Sequence, residues 1–364
     1  VLQHKKYRYW PEKCFESGSG SKWVWRIVMR FAIYFSKTGF GLRKDAQILC
    51  DALTYFGYGV DIVEMPASAV RFGGVRGLLV KILKAFNVLF FYKAVQDIFF
   101  RKKRVIGIHL ESIFYEKLYR AEDHILIPNQ EWFEISHIAL LPYLKAVWVK
   151  STFAQEIFAQ YKCPVQYIAF CSILGEFDTT QVKQRDYFFA RTGMSWYRGA
   201  HNLINIWARH PEWPLLKLVI HPSVRPLVKP DNVEFLDIFP RNDDFVRLAS
   251  SSLFHIYATE TEGFGHSILE AMGYGAVVLV TDAPPMNEIA NKNCAVMLEA
   301  KYSGQKSIAP RFSVVPSALE EAIKKVLAMD DEAIVAITTG GRKRVLCFKH
   351  AFYNNLNAAI NNLH

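Results

Sequence analysis

Short apolar runs alternate with glycine-bearing turns and helical patterns along most of the chain. Residues 27–35 form a β-branched and aromatic run, followed by Ser36-Lys-Thr-Gly39-Phe-Gly41. A helical pattern then places Ile48, Leu49, Ala52, Leu53 and Phe56 on one face, and Gly57 and Gly59 precede a second run at 60–63. Further runs at 105–110, 124–127, 146–150 and 166–171 continue the alternation. It restarts after residue 186 with runs at 187–190, 216–221, 233–236, 253–257, 277–281 and 295–298. Apolar strands separated by helical crossovers predict parallel sheets and an α/β class.

Two such series predict two Rossmann-like domains whose parallel sheets face each other across a cleft. We place the N-terminal domain at 25–172, the C-terminal domain at 173–344 and an interdomain hinge at 172–183. A terminal helix over 345–364 is expected to pack back onto the first domain. Residues 1–24 read as an extension or linker outside the fold, since Ser17-Gly-Ser-Gly-Ser21 is a flexible composition. The pair Gly39 and Gly41 lacks the third glycine of a dinucleotide-binding loop.

The richest stretch is Ala258-Thr-Glu-Thr-Glu262-Gly263-Phe264-Gly265-His266-Ser267-Ile-Leu-Glu270-Ala-Met-Gly-Tyr-Gly275, lying between two apolar runs. It predicts a strand, a glycine turn and a short helix starting near His266. A helix N-terminus presents unpaired N–H groups and partial positive charge to an anion. Amides around Gly265, His266 and Ser267 therefore suit a phosphate or a sugar oxygen. Glu262 can accept hydrogen bonds from sugar hydroxyls, and Glu270, about one turn into the helix, can reach a ribose diol. Two carboxylates beside a diphosphate repel it unless cations compensate; Arg191 and Arg198, at a neighbouring strand end, are the candidates. His109 and Glu111 follow another strand end, as do Asn129, Gln130 and Glu131, and strand carboxyl ends form the ligand crevice of open α/β sheets.

Composition adds a second theme. The chain has 364 residues, 51% hydrophobic and 21% charged, with a net charge of +10. Segment 71–104 holds Arg71, Arg76, Lys81, Lys84, Lys93, Arg101, Lys102, Lys103 and Arg104 against Asp97 alone, so a local +8 carries most of the basicity. Apolar residues between these cations suggest peripheral docking on an anionic membrane; the lysines are too frequent for a span. A buried helix with snorkelling lysines is the competing reading. No nucleic-acid module accompanies the patch, so no nucleic-acid partner is expected. Six scattered cysteines without a C-x-x-C pair, and no apolar signal core in residues 1–26, fit a cytoplasmic chain at a membrane face.

The stretch Glu262 to Glu270, with Gly263, Phe264, Gly265, His266 and Ser267 between, resembles the E-x7-E signature of family 4-type retaining glycosyltransferases of GT-B fold. Arg191 with Arg198-Gly199 resembles that family's R…KG element, with arginine in place of lysine. Pro285-Met-Asn-Glu288-Ile is similar to its later glutamate loop. The resemblance covers roughly 186–326 and implies a hexosyltransferase-type enzyme with a nucleoside-diphosphate-sugar co-substrate, no other cofactor and no metal. It implies Glu262, His109, Arg191 and Arg198 as catalytic residues. It also implies donor contacts from Gly39, Gly41, Arg191, Arg198, Gly263, Phe264, Gly265, His266, Ser267 and Glu270. The partners implied are the donor and a glycan or lipid-linked saccharide acceptor, in polysaccharide biosynthesis. Rival readings are a non-catalytic nucleotide-sugar or glycan-binding GT-B protein and a nucleotide-sugar epimerase.

Overall fold

The structure, a computed structural model, describes residues 29–37, 40–66, 105–118, 123–172, 182–237 and 243–363. Residues 1–24, Gly39, the basic segment 71–104 and most of the expected hinge lie outside them, so the expectations placed there are not addressed. Contacts separate the chain into two compact units. One runs to Ile127 and adds Ser136–Val147; the other holds Pro128–Ile135 and continues from Trp148.

The first sheet contains β1 (Arg30–Ser36), β2 (Gly59–Met65), β3 (Val105–Leu110), β4 (Asp123–Ile127), β5 (Ala146–Val149) and β6 (Val165–Tyr167), in the order β2-β1-β3-β4-β5-β6. The second contains β7 (Gln184–Gly193), β8 (Leu215–Ile220), β9 (Val233–Leu236), β10 (Ser252–Tyr257), β11 (Val277–Thr281) and β12 (Val296–Leu298), in the order β12-β11-β10-β7-β8-β9. Both sheets are parallel. Strands covered on both faces are expected to be apolar throughout, and β11 (Val-Val-Leu-Val-Thr) is buried at every position.

Helices cover these sheets because one stripe of each is apolar. Helix Ala200–Arg209 buries Leu203, Ile206 and Trp207. Trp207 meets Phe188 edge-on at 5.5 Å and donates its indole N–H to Pro214 O at 2.9 Å, so this fully buried indole leaves no polar atom stranded. Helix Asp331–Asn361 starts well before the sequence pattern shows it. Asp330 caps its first turn by accepting from Ala333 N at 2.8 Å. The helix packs on His266–Gly273, with Gly341 against Met272. A two-stranded antiparallel hairpin, β13 (Ala300–Lys306) and β14 (Ala309–Val314), stands outside both parallel sheets.

Candidate active site

In the second sheet β7 neighbours both β8 and β10, and the chain builds outward from it on either side. The strand order therefore reverses between β7 and β10, the place where open α/β sheets bind ligands beyond their carboxyl ends. Near the carboxyl end of β7 stand Arg191 and then a single 3₁₀ turn, Trp196–Arg198, closed by Gly199. Gly199 has φ 77°, and a Cβ there would stand 2.2 Å from Ala258 O, so this close approach of the two loops requires glycine. From β10 the chain passes through 258–265 into helix His266–Gly273.

This topology sets the two carboxylates against two arginines. Arg198 Nη2 donates to Glu262 Oε2 at 3.0 Å, and Glu262 is only 5% exposed. Arg191 Nη1 lies 3.8 Å from Glu270 Oε2. The other oxygen of Glu270, Oε1, accepts from Ser172 Oγ at 2.8 Å. His266 Nδ1 is 3.1 Å from the same hydroxyl. Since Ser172 has one hydroxyl proton and gives it to the carboxylate, it accepts from His266 Nδ1–H. The predicted residues thus meet in two pairs, Arg198 with Glu262 and Arg191 with Glu270, and Ser172, which sequence reasoning passed over, joins Glu270 to His266.

No side chain caps the N-terminus of helix His266–Gly273. Its N-cap is Gly265, at φ 95°, and its first turn has no acidic residue. The first amides of a helix have no intrahelical acceptor, so such an end suits an anion. Ser267 and His266 are half-buried on this turn, whereas Phe264 is buried, edge-on to Phe170 at 5.3 Å and Phe348 at 6.2 Å. Phe264 is therefore a core plug that fixes the loop, whose residues 261–265 are all buried. Gly263 packs on Asn129, whose Oδ1 would lie 2.3 Å from a Cβ there. Asn129 Oδ1 accepts from Lys150 Nζ at 2.8 Å, and Gln130 donates to Glu262 O at 2.6 Å.

Beneath the carboxylates the floor is aromatic and neutral. Burial raises the Tyr257 hydroxyl above its ordinary range, with the nearby Glu270 charge adding to it. Burial and Glu270 push Tyr274 up to about 12. His255 is lowered to about 3, chiefly by burial. Its Nε2 must carry the proton, because it lies 2.9 Å from the Ala249 carbonyl, so Nδ1 accepts from Tyr257 O–H at 3.2 Å. Glu260, two residues before Glu262, is held by Arg311 Nη1 at 2.9 Å, by Ser313 Oγ at 2.9 Å, and through its own carbonyl by Phe312 N at 2.9 Å. Among the described residues no group of three His, Cys, Asp or Glu side chains is placed to hold a metal ion, and no helix is long and apolar enough to cross a membrane.

His109 and Gly41 belong to the first unit, at its own strand-order reversal between β1 and β3. Gly41 lies in the first turn of helix Phe40–Tyr55. His109 is fully buried, and its Nδ1 accepts from Phe114 N at 3.1 Å. Its proton is then on Nε2, 3.0 Å from His124 Nδ1, and His124 Nε2–H donates to Leu118 O at 3.1 Å. Burial, and after it His124 and His137, holds His109 well below its ordinary pKa. Both its ring nitrogens are engaged inside the unit. Glu111 leaves β3 at φ 67°, a left-handed conformation uncommon outside glycine.

Glu288, in the loop matched at 285–289, is a helix cap. Its two oxygens accept from Thr152 N and Phe153 N, both at 2.7 Å, at the start of helix Thr152–Ala159. Arg344 holds the same loop through the carbonyls of Glu288 and Ile289. Ser172 and Glu260 were not foreseen as site neighbours, whereas Asn129 and Gln130, expected at a strand end beside the crevice, do meet the Glu262 loop. Glu260 carried a signal, because two glutamates two positions apart cannot both face a diphosphate without a cation for each.

No family model and no curated protein matches the chain by sequence. Solved structures do match its fold. A glycosyltransferase from Rickettsia africae ESF-5 superposes with TM-score 0.66 at 13% identity, over 93% of this chain and 99% of its own. Sucrose-phosphate synthase from Thermosynechococcus elongatus gives 0.62 at 15% identity, over 92% and 99%. Anabaena HepE, in complex with UDP and glucose, gives 0.55 at 14%, over 92% and 98%. These neighbours are GT-B glycosyltransferases. With its two six-stranded parallel sheets, each reversing its strand order beside the first strand of its series, this chain has the GT-B fold of two Rossmann-like halves.

Proposed function

We propose that the protein is a retaining, metal-independent glycosyltransferase. It moves a sugar from a nucleoside-diphosphate-sugar to a glycan or lipid-linked saccharide acceptor at a cytoplasmic membrane face. The observation that carries this reading is the pairing of Glu262 with Arg198 and of Glu270 with Arg191 beside an uncapped helix N-terminus. A diphosphate needs positive charge, a ribose and a sugar need carboxylate acceptors, and each pair supplies one of each.

In this reading the diphosphate lies on the first amides of helix His266–Gly273, between Arg191 and Arg198, and Glu270 accepts from the ribose hydroxyls. Glu262 accepts from the transferred sugar. The bond from sugar C1 to the diphosphate oxygen breaks while the acceptor oxygen bonds C1 from the same face, and the acceptor's proton passes to the departing diphosphate. Charge grows on the diphosphate as the bond breaks, and fixed guanidinium and amide dipoles stabilise it without reorganising. His109, with both ring nitrogens engaged, is assigned no contact with the donor. Membrane attachment is assigned to segment 71–104.

The test is a panel of nucleoside-diphosphate-sugars, starting with UDP-sugars because HepE was solved with UDP and glucose. Thermal shift reports binding, since a ligand of the native state stabilises it in proportion to affinity. Transfer is then followed by release of the nucleoside diphosphate on adding a saccharide acceptor. No stabilisation by any member of the panel would remove the donor site; binding without transfer to any acceptor would leave the non-catalytic reading.

A further inference from the structure

The loop that carries Glu262 is held by a hairpin whose outer surface has a chemistry of its own. Residues 300–314 contain Lys301, Lys306 and Arg311 and no carboxylate. Arg311 is neutralised by Glu260. Lys306 is not: its Nζ lies 4.3 Å from the centroid of the Trp132 ring and 5.2 Å from that of Tyr197, and no carboxylate among the described residues pairs with it. Trp132 is 47% exposed and Tyr302, on the hairpin, 66%.

These groups come from three separate places, and each is pinned. Ser307, at the hairpin turn, donates to Phe133 O beside Trp132. Arg311 lies 4.7 Å from the Tyr197 ring centroid while binding Glu260. Glu260 N donates to Tyr197 O at 2.7 Å, and Tyr197 precedes Arg198, the partner of Glu262. The surface formed by exposed Trp132 with half-buried Tyr197 and Lys306 is thereby tied to the Glu262 loop through short, named bonds.

We propose that Trp132, Tyr197 and Lys306 form an acceptor subsite for an anionic saccharide, a sugar bearing a carboxylate or phosphate. This rests on the glycosyltransferase reading above. Apolar faces of pyranose rings pack against exposed aromatic rings, and an unneutralised ammonium held over those rings supplies the counter-charge for an acidic substituent. A neutral glycan leaves Lys306 without an anion; a free anion leaves the rings bare. Only a molecule with both features uses the whole surface.

The experiment is calorimetric titration of the full chain with tetragalacturonate, a soluble acidic oligosaccharide, with neutral maltotetraose and inorganic phosphate as comparison ligands at equal ionic strength. Tetragalacturonate is expected to bind, more weakly as salt rises, and maltotetraose about tenfold or more weakly, the scale of one lost charge-assisted contact. Lys306→Gln and Trp132→Ala should each weaken the acidic ligand by about tenfold, and Lys306→Arg should restore it. Trp132→Phe, which keeps a ring, covers the event that the alanine variant fails to fold. UDP is titrated into each variant in parallel and should bind unchanged. Absence of tetragalacturonate binding, equal binding of maltotetraose, complete displacement by phosphate, or indifference to both substitutions each overturns the subsite. Loss of UDP binding in the unaltered protein would instead overturn the donor site, so the two failures are read on different ligands.

Discussion

Arg198 and Glu262, 64 residues apart in the chain, meet at 3.0 Å at the carboxyl ends of two adjacent strands, with the glutamate buried and the arginine partly open to solvent. The pair orients a carboxylate where water is largely excluded, and keeps the guanidinium partly open to solvent.

Glu262→Gln should reduce transfer by about a hundredfold or more, the scale seen when one preorganised polar group is lost from a reacting centre. UDP should still bind, because its phosphates are assigned to Arg191, Arg198 and the helix amides. Initial rates and calorimetry on the same preparation check both halves. Full activity in this variant would sink the assignment of Glu262 to the transferred sugar.

Ser172 bridges His266 and Glu270. Ser172→Ala removes the hydroxyl from both at once. Nucleotide affinity is expected to drop about three- to tenfold, the net worth of about one hydrogen bond. Ser172→Thr, which keeps the hydroxyl, should lose less. Equilibrium titration with UDP reads the difference.

Acid should destabilise the protein well before its carboxylates titrate. His255 and His137 are held to about 3 and about 4, mainly by burial, against an ordinary histidine value of 6.5. Below pH 6.5 the unfolded chain takes up protons that the folded chain refuses. The stability they contribute is therefore whole above about 6.5 and lost as pH falls from there toward 4. The slope is about 1.4 kcal/mol per pH unit for each such histidine. Denaturant midpoints from pH 7.5 to 4.5 measure it. His255→Gln should flatten the profile; an unchanged slope would show that His255 is not responsible.

Removing the carboxylate of Glu288 exposes the first two amides of helix Thr152–Ala159. Glu288→Ala should cost about 1–2 kcal/mol, as the loss of a helix cap does, and Glu288→Gln, which accepts with only one oxygen, about half of that. Thermal midpoints check the ranking.

Strands with strong apolar runs were legible: 105–110, 233–236 and 277–281 have the predicted bounds. The predicted run at 166–171 is shorter, ending at Tyr167, because Ala169 turns at φ 55° and leaves the ladder. The hairpin was not legible. Its strands are half exposed and polar, and an irregularity between Tyr302 and Gly304 breaks the alternation that marks a strand. The carboxylate, arginine and glycine positions of the candidate site could be read because charge and turn chemistry are local properties. The Gln130 segment could be placed near the crevice from its strand end, but Ser172 could not be read, since its place beside Glu270 and His266 is set by tertiary contacts with no local signature.

The reversal of strand order between β7 and β10 also bears on how the protein reaches its native state. Before those strands pair, Arg191 and Arg198 sit on one stretch of chain and Glu262 and Glu270 on another, and no partly folded form lacking that pairing has the assembled pocket. Closing so long a loop is slow, as non-local parallel pairing generally is. A nucleotide that binds the completed pocket therefore favours only chains in which the central pairing is made. Donor supply would then govern both turnover and the share of newly made protein that stays folded.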